Sequence, residues 1–372
     1  MKEQLVQVID KKDLQVLILT DGYNIHHLSG YRGHTGMLVA FQGEQYILTD
    51  SRYTEQVELE APEFTCVDIG REGYSKTIAA MVQKAFAKEG RSTLRIGFEN
   101  KEISYMQYQA FVDTFAKELT GMQVEFVPLE DAVNVYREVK TEDEIAKLAR
   151  AEQIGDEAFT EIVKFIHENW KDGLTEQRVA LQLEYEMRLR GAEGTSFDTI
   201  AASGSNSSLP HAMPQPKLLT EGDFLTMDFG CMYQGYCSDM TRTIHIGEVV
   251  ESEQKKVYDT VLQAQLAALS VVKPGMVCSD VDKCARDIIA DAGYGDYFGH
   301  GLGHSVGLFI HEEPRFSMKC DAVLKPGVVI TVEPGIYLPG KFGVRVEDLV
   351  IVTETGCEVL NHVDKHWSVV GV

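Results

Sequence analysis

The stretch FLTMDFGCMYQGYCSDMTRTIHI, residues 224–246, consists of two runs of strand-forming residues joined by a turn near Tyr233 and Gln234. Apolar runs bounded by turn residues at this spacing predict a β-hairpin. A hairpin folded midway between Tyr233 and Gln234 would set Asp228 directly opposite Asp239, with Cβ atoms about 5 Å apart. Moving the centre of the turn by one residue makes the pair diagonal but keeps both carboxylates on one face of the sheet. The stretch therefore predicts two neighbouring like charges.

A second candidate hairpin, TVEPGIYLPGKFGVRVED at residues 331–348, repeats this arrangement. Glu333 and Glu347 are equidistant from Gly340, which lies in a loop with Pro339. One such pair of acids is usually a solvent-facing coincidence, but two pairs within apolar strand sequence favour a shared buried site. Burying one unpaired carboxylate costs several kcal/mol, so four converging acids require protons or cations.

The segment GHGLGHSVGLFIHEEP, residues 299–314, contains His300, His304 and His311, three of the chain's eleven histidines. Neutral imidazole binds Mn, Fe, Co or Zn, and carboxylates bridge paired ions about 3.5 to 4 Å apart. One histidine with four acids therefore predicts a site for two divalent ions. The His300/His304 spacing is that of the helical zinc motif H-E-x-x-H, but Gly301 replaces the glutamate and the flanking glycines argue against a helix. We expect the glycines instead to let the backbone and a peptide approach closely.

Composition and charge exclude several classes of partner. The chain has 372 residues, a length at which two domains are expected, and its 44% hydrophobic and 25% charged residues are typical of a globular protein. The formal net charge of -22 would repel phosphate backbones and anionic membrane surfaces, so we expect neither nucleic acid nor a membrane as partner. Seven cysteines without a C-x-x-C pair, and a first apolar run too short to span a bilayer, predict a reduced cytoplasmic protein.

The first third of the chain has an α/β layout. Between residues 14 and 129, six strand-like runs alternate with helical patterns at 52–61, 74–89 and 103–116. No glycine-rich phosphate loop follows any of these runs, so a nucleotide site is not indicated. Because the pattern changes near residue 135, we predict an N-terminal domain at 1–134 and a second domain at 135–372.

The second domain begins with a helix signal. Thr141 stands three residues before Glu144, a capping-box pattern that heads a long amphipathic segment. Helical patterns follow near 175–189 and 252–271, and strand-like runs fill much of the rest. Helices over a largely antiparallel sheet make this an α+β domain.

Five blocks of the second domain resemble, in the same order, the metallopeptidases with a pita-bread catalytic domain, which include methionine aminopeptidase, aminopeptidase P and prolidase. The blocks are SFDTIAASGSNSSLPHAMP, MDFGCMYQGYCSDMTRT, GHGLGHSVGLFIHEEP, TVEPGIYLPG and GVRVED. In the first domain, NIHHLSGYRGHTGMLVAF and LTDSRYTEQVELE resemble the accessory domain of aminopeptidase P, prolidase and creatinase. Methionine aminopeptidases lack that domain, and the creatinase lineage has lost the ligand set that is complete here. The resemblance implies a pita-bread α+β catalytic domain preceded by an α/β domain of the creatinase/prolidase type.

The resemblance also implies a set of metal ligands. Asp228 would chelate one ion, and Asp239 and Glu347 would bridge both. The second ion would be completed by His304 and Glu333. By the same resemblance the metals are most often manganese, although carboxylate and imidazole ligands also accept Co, Fe or Zn.

The resemblance also implies roles for six residues in substrate binding, ligand orientation and catalysis. His211 and His311 match the pair that lines the substrate site and donates hydrogen bonds to the scissile peptide or its oxyanion. In one regular strand from 304 to 311, His311 would face away from His304, so this role requires a bend or bulge near Gly307. His300 would line the substrate pocket on the leaving-group side. Arg345 and Tyr337 would orient the ligands and balance charge. Glu333 would take a proton from the attacking water and deliver it to the leaving nitrogen.

The predicted function is hydrolysis of an Xaa-Pro bond at the N-terminus of a peptide, with proline in second position. We prefer cleavage of longer peptides, as in aminopeptidase P, over cleavage of dipeptides, as in prolidase, and the sequence leaves both open. A non-catalytic binding protein on the same fold and a phosphoester hydrolase are more remote alternatives. The accessory domain's resemblance also implies a homodimer.

Overall fold

The computed structural model describes residues 2–87, 89–248 and 251–371. The predicted domains and the predicted helix at 74–89 also include Met1, Lys88, residues 249–250 and Val372, which lie outside the described residues. Contacts between Cα atoms divide the chain into two compact units, Met1–Arg137 and Glu138–Val372.

The first unit contains one mixed six-stranded sheet with strand order β4-β3-β2-β1-β5-β6. Strand β1 pairs in parallel with β5 and antiparallel with β2. The strands are β1 (Val16–Leu19), β2 (Met37–Phe41), β3 (Glu44–Thr49), β4 (Thr65–Asp68), β5 (Thr93–Phe98) and β6 (Gln123–Pro128). The helices are α1 (Lys2–Lys12), α2 (Gly22–Ser29), α3 (Thr54–Glu60), α4 (Gly73–Phe86) and α5 (Tyr105–Glu118).

Helices cover both faces of this sheet, which is why β1 is apolar at every position. Val16 and Ile18 pack in the core formed with α4 and α5. Leu17 and Leu19 point to the opposite core, formed with α1, α2 and α3. The six strands and three of the helices agree with the predicted α/β layout. Helices α1 and α2 were not predicted, because short polar segments carry a weak periodic signal.

The second unit carries four long helices and fourteen strands among its described residues. The helices are α6 (Glu142–Asn169), α7 (Glu176–Leu189), α8 (Ser252–Val271) and α9 (Cys278–Asp291). The first strands are β7 (Gly194–Thr195), β8 (Ile200–Ser203), β9 (Phe224–Phe229), β10 (Cys231–Tyr233), β11 (Tyr236–Cys237), β12 (Met240–Ile246) and β13 (Gly303–Ser305). The remaining strands are β14 (Glu312–Phe316), β15 (Val329–Val332), β16 (Gly335–Leu338), β17 (Phe342–Arg345), β18 (Asp348–Val352), β19 (Cys357–Val359) and β20 (Val369–Val370).

Capping chemistry sets the start of α6 as predicted. The Thr141 hydroxyl accepts the Glu144 backbone N–H, and the Glu144 carboxylate accepts the Thr141 backbone N–H, so the capping box is complete. Helices α7 and α8 match the predicted helical patterns, whereas α9 was not predicted.

The second unit is built on largely antiparallel sheets, as predicted. One sheet has the order β20-β12-β9-β8 and another the order β14-β13-β15-β18-β19. Small sheets β11-β10-β7 and β16-β17 complete the unit. Helices α6 and α7 pack in one apolar core with β9 and β12, and α8 and α9 in another with β15 to β18. Residues of β9, β13 and β17 line a cavity that holds the polar site.

Candidate metal centre

The first hairpin turns one residue later than the predicted centre. Tyr233 pairs with Tyr236, and Gln234 and Gly235 both have positive φ, 50° and 84°. A two-residue hairpin turn of this type needs positive φ at both central residues, which glycine adopts without strain. Folding between Tyr233 and Gln234 would have forced the tyrosine into that conformation.

This register makes the two aspartates diagonal neighbours. Asp228 on β9 lies opposite Thr241 on β12, and Asp239 precedes Thr241 by two residues. Of the two registers that the sequence left open, directly opposite or diagonal, the structure has the diagonal one. Moving the centre of the turn by one residue shifts the pairing by two residues. Both carboxylates therefore stay on one face of the sheet.

The second hairpin has the predicted register. Gly335 pairs with Arg345, and Leu338 pairs with Phe342, so each pair is equidistant from Gly340. The strand pairing ends at Gly335 and Arg345, so Glu333 and Glu347 lie just beyond it. The Glu333 backbone N–H donates to the Leu302 carbonyl over 2.8 Å, and the Glu347 N–H donates to the Thr241 carbonyl over 3.1 Å. These two bonds join the hairpin to the His304 segment and to the aspartate strand.

The five predicted ligands lie together. One carboxylate oxygen each from Asp228, Asp239 and Glu347 falls within 4.8 Å of the others. His304 Nε2 lies 3.5 Å from Asp239 Oδ2 and 3.5 Å from Glu333 Oε1. The cluster thus contains four carboxylates and one imidazole, drawn from three separate parts of the chain.

The imidazole of His304 presents a lone pair to this cluster. Its Nδ1 lies 3.2 Å from the Ser305 carbonyl, which can only accept, so Nδ1 carries the proton. Burial, with His311 as a second cause, lowers the pKa of His304 to about 3, so the ring is neutral. The unprotonated Nε2 then faces the carboxyl groups of Asp239 and Glu333, and when these are ionised all three groups are acceptors. A cation between them resolves this mismatch, which makes the residues a good fit for metal.

The carboxylates show the same need for a cation. Burial and then the charges of Glu347 and Asp228 raise the pKa of Asp239 well above its usual range, and the pKa of Glu347 is raised likewise. Burial raises the pKa of Glu333 to about 8, against the opposing effect of Arg345. Among the described residues, Asp228 Oδ1 is a buried oxygen without a hydrogen-bond partner. Divalent ions would neutralise these charges and would be coordinated by that oxygen.

Arg345, Tyr337 and His300 form a chain of hydrogen bonds beside the acids. The Arg345 guanidinium donates to Asp228 Oδ2 and, over 2.6 Å, to the Tyr337 hydroxyl. His300 Nδ1 lies 2.8 Å from the Gly301 carbonyl, so its Nε2 is free to accept the Tyr337 hydroxyl proton over 3.0 Å. Arg345 Nε also donates to the Thr241 hydroxyl, which donates to Glu347. These hydrogen bonds hold the carboxylates of Asp228 and Glu347 in position.

The His304 segment contains the bend that the sequence required. Strands β13 and β14 pair with a register shift between His304 and Ser305, and the chain reverses between Ser305 and Glu312. The imidazoles of His304 and His311 therefore meet with ring centroids 4.5 Å apart. His211 lies in the loop after β8, with its side chain exposed. His211, His300 and His311 all line the same cavity as the acids.

The cavity has a volume of about 910 Å³, and its wall includes residues that the sequence analysis did not single out. Arg315 lines it and lies opposite His304 across β13 and β14. Beneath the wall, the Glu152 carboxylate on α6 accepts the Asp239 backbone N–H over 2.7 Å. Arg315 was detectable as a cation four residues after His311. Glu152 carried no local signal, because it is 87 residues from Asp239.

Family models match both halves of the chain. Residues 146–354 match metallopeptidase family M24, and residues 2–139 match the creatinase/prolidase N-terminal domain. The chain belongs to metallopeptidase family M24. It is 37% identical to the Xaa-Pro dipeptidase of Pyrococcus furiosus, covering 98% of each chain.

Solved structures of M24 relatives share the whole fold. An Xaa-Pro dipeptidase from Bacillus anthracis is 38% identical with a TM-score of 0.89, covering 99% of each chain. An X-Pro aminopeptidase from Thermotoga maritima is 36% identical with a TM-score of 0.85, covering 98% of this chain and all of that one. The predicted pita-bread catalytic domain and the creatinase/prolidase-type domain before it are confirmed.

Membership of M24 makes the chain a metallopeptidase that acts on peptides with divalent metal ions. The remote alternatives, a non-catalytic binding protein and a phosphoester hydrolase, receive no support from these relatives. Among the described residues, no helix is both long and apolar enough to cross a bilayer.

Proposed function

We propose that this M24 enzyme is an Xaa-Pro dipeptidase, a prolidase. The observation that carries the proposal is full-length similarity to Xaa-Pro dipeptidases, 37% and 38% identical, in a chain whose five predicted ligands converge. These relatives favour the dipeptidase alternative over the aminopeptidase P-like activity that the sequence analysis preferred.

We propose two divalent ions at the cluster, most often manganese, with Co, Fe and Zn as other metals that this donor set accepts. Asp228 would hold one ion, Asp239 and Glu347 would bridge both, and His304 and Glu333 would complete the second. The bound ions would supply an activated water and polarise the peptide carbonyl.

The protein's own groups would then position the peptide and move its protons. Glu333 would accept the proton of the attacking water and pass it to the proline nitrogen, and the Thr331 hydroxyl orients that carboxylate over 3.2 Å. His211 and His311 would donate hydrogen bonds to the developing oxyanion. His300 would line the leaving-group side, with its ring held by Tyr337.

Arg315 supports the choice of a dipeptide. A dipeptide carries a free carboxylate just beyond the scissile nitrogen, whereas a longer peptide has a neutral amide there. Of the two arginines that line the cavity, Arg345 is bound to Asp228 and Tyr337. Arg315 has a side chain that is 47% exposed and contacts the exposed Glu313. Its guanidinium is therefore available to a substrate carboxylate.

An Xaa-Pro aminopeptidase is the second candidate, because the Thermotoga maritima X-Pro aminopeptidase is 36% identical over almost the whole chain. The deciding experiment supplies Mn and compares an Xaa-Pro dipeptide, the matching Xaa-Pro-Yaa tripeptide and a matched dipeptide without proline. Cleavage of the Xaa-Pro dipeptide alone supports the prolidase. Cleavage of the tripeptide as well selects the aminopeptidase, and indifference to proline contradicts both.

We also propose the division into domains at 1–134 and 135–372, an organisation as a homodimer and a cytoplasmic location. Contacts divide between Arg137 and Glu138, and the two family models are separated by residues 140–145. The likeness to a creatinase/prolidase N-terminal domain supports the dimer, and seven free cysteines support a reducing compartment. Light scattering on purified protein tests the dimer.

A further inference from the structure

A buried lysine lies outside the cluster of acids and has no part in the chemistry proposed above. The Lys140 side chain is 2% exposed, and its Nζ lies 3.1 Å from Glu312 Oε2, whose side chain is 4% exposed. The same ammonium donates to the Ser305 hydroxyl over 3.0 Å. Burying two charges is costly unless their geometry is well satisfied, so such a pair often serves specificity of structure.

Both partners of Lys140 are direct neighbours of site histidines. Ser305 follows His304, and Glu312 follows His311. Ser305 and Glu312 are also partners across β13 and β14, at the point where the register shifts. Lys140 thus bridges the two ends of the loop at 306–311, whose last residue is one of the histidines.

The loop is shaped around the Glu312 carboxylate. The Phe309 backbone N–H donates to Glu312 Oε1 over 3.2 Å. A Cβ atom at Gly307 would lie 2.6 Å from Glu312 Oε2, so only glycine leaves room for the carboxylate there. The carboxylate therefore joins the loop backbone on one side to the Lys140 ammonium on the other.

Lys140 is itself fixed by the backbone. Its N–H donates to the Gly327 carbonyl over 2.9 Å, and the following residue, Thr141, caps α6. The ammonium is therefore a fixed point against which the loop can be held. An apolar side chain of the same length would fill the space but would leave the direction of Glu312 unspecified.

We infer that Lys140 is a positioning residue for the peptidase reaction, which holds His311 beside His304 through Glu312 and Ser305. The inference rests on the proposed function, because it concerns the placement of a histidine that donates to the substrate. The residues to which Lys140 donates, Ser305, Glu312 and Gly327, are neither predicted ligands nor part of the cavity lining.

The test compares Lys140→Met, Lys140→Arg and Glu312→Gln with the parent. We expect Lys140→Met and Glu312→Gln to lower kcat on an Xaa-Pro dipeptide about 100-fold, with KM and bound metal within about twofold of the parent. Lys140→Arg keeps the charge, so its kcat should be about tenfold higher than that of Lys140→Met. The matched control is Lys325→Met, since Lys325 pairs with Glu138 but is 58% exposed, and it should behave as the parent.

A second measurement does not depend on activity. Hydrogen exchange of the peptide at 305–316 should be faster in Lys140→Met than in the parent or in Lys325→Met. If Lys140→Met does not fold, Glu312→Gln and Ser305→Ala take its place, and Ser305→Ala should reduce kcat about threefold because one of two acceptors is lost.

Three results would overturn the inference. The first is a folded Lys140→Met, or Glu312→Gln in its place, whose kcat stays within twofold of the parent. The second is a fall in kcat that is matched by an equal loss of bound metal. The third is a Lys140→Arg variant whose kcat is no higher than that of Lys140→Met. A parent that fails to cleave Xaa-Pro dipeptides contradicts the proposed function instead. In that case hydrogen exchange at 305–316 is the remaining test of the positioning role, and unchanged exchange in Lys140→Met rejects it.

Discussion

The Asp239 backbone N–H donates to the Glu152 carboxylate over 2.7 Å, which ties a predicted metal ligand to helix α6. Glu152 is completely buried, and its other oxygen accepts from the Asn361 side-chain amide. Hydrogen bonds of this kind hold a ligand in place before the metal binds.

Removing the Glu152 carboxylate should therefore weaken metal binding. We expect Glu152→Ala to reduce the affinity for Mn about 10- to 100-fold, because Asp239 and Asn361 lose their shared acceptor. Glu152→Gln keeps one acceptor oxygen and should stay within about fivefold of the parent. Calorimetric titration of metal-free protein measures both, and an unchanged affinity in Glu152→Ala would contradict the role.

Without metal, the protein should lose stability as pH rises. Burial raises the pKa of Glu152 and of Glu333 to about 8, against an ordinary value of 4.5. Between these values the folded chain holds protons that the unfolded chain has released. Each of these two groups should therefore lower the free energy of unfolding by up to about 1.4 kcal/mol per pH unit until about pH 8. The raised pKa values of Asp239 and Glu347 add to this fall, whereas the lowered pKa of His304 opposes it below about pH 6.5.

Urea unfolding in the presence of a chelator, from pH 6.5 to pH 8, measures this slope where the histidines no longer oppose it. Glu152→Gln removes one of the two groups and should make the slope shallower. Saturating Mn should remove the part of the fall that comes from the predicted ligands, because these are then deprotonated and neutralised by metal, and should leave the part that comes from Glu152. A metal-free protein whose stability stays flat or rises over this window would refute the prediction.

Substitutions at the predicted ligands and at the predicted substrate histidines should differ in kind. Asp239→Ala and Glu347→Ala should abolish activity and metal binding together, because each would bridge both ions. His311→Ala should lower kcat about 100- to 1000-fold while bound metal stays at the parent level. Metal analysis beside kinetics separates the classes. Two ions retained by Asp239→Ala would refute its assignment, and metal lost in His311→Ala would make that histidine a ligand.

Arg315→Ala should reduce the enzyme's preference for dipeptides. Losing an ion pair with the substrate carboxylate should raise KM for an Xaa-Pro dipeptide about 10- to 100-fold. KM for a dipeptide amide, which has no carboxylate, should stay near its parent value. Arg178→Ala is the control, since Arg178 is exposed and lies outside the cavity lining. Equal effects on the free dipeptide and on its amide would remove Arg315 from the recognition of the carboxylate.

Tyr337→Phe should test the chain from Arg345 to His300. The hydroxyl accepts from Arg345 and donates to His300, so its loss leaves His300 Nε2 without its donor and removes one acceptor from Arg345, which still donates to Asp228 and Thr241. We expect a loss of about 1 to 3 kcal/mol in the free energy of unfolding of the metal-free protein, and kcat lowered severalfold. Denaturant unfolding and kinetics measure these effects, and a variant equal to the parent in both would show that the chain is dispensable.

Local sequence was enough to predict the six strands of the first unit, the strands of the two hairpins that carry the acids, the capping box at Thr141 and the placement of each pair of acids on one face. Each of these depends on residues a few positions apart, through strand period, turn conformation or a helix cap. The register of the second hairpin followed from the symmetry of Glu333 and Glu347 about Gly340. The first hairpin was displaced by one residue, because the need for positive φ at Gly235 outweighed the apparent centre of the turn.

Tertiary structure alone decided how the separate segments meet. The bonds that join Glu347 to Thr241, Glu152 to Asp239 and Lys140 to Glu312 each span more than 80 residues, and nothing in the local pattern selects those partners. Such buried polar contacts are chosen by the packing of whole helices and sheets, since each donor must find an acceptor once water is excluded. The sequence by itself determined which groups we propose for the chemistry, because residue type and strand period are local properties, and the packing of the folded chain determined what holds them in position.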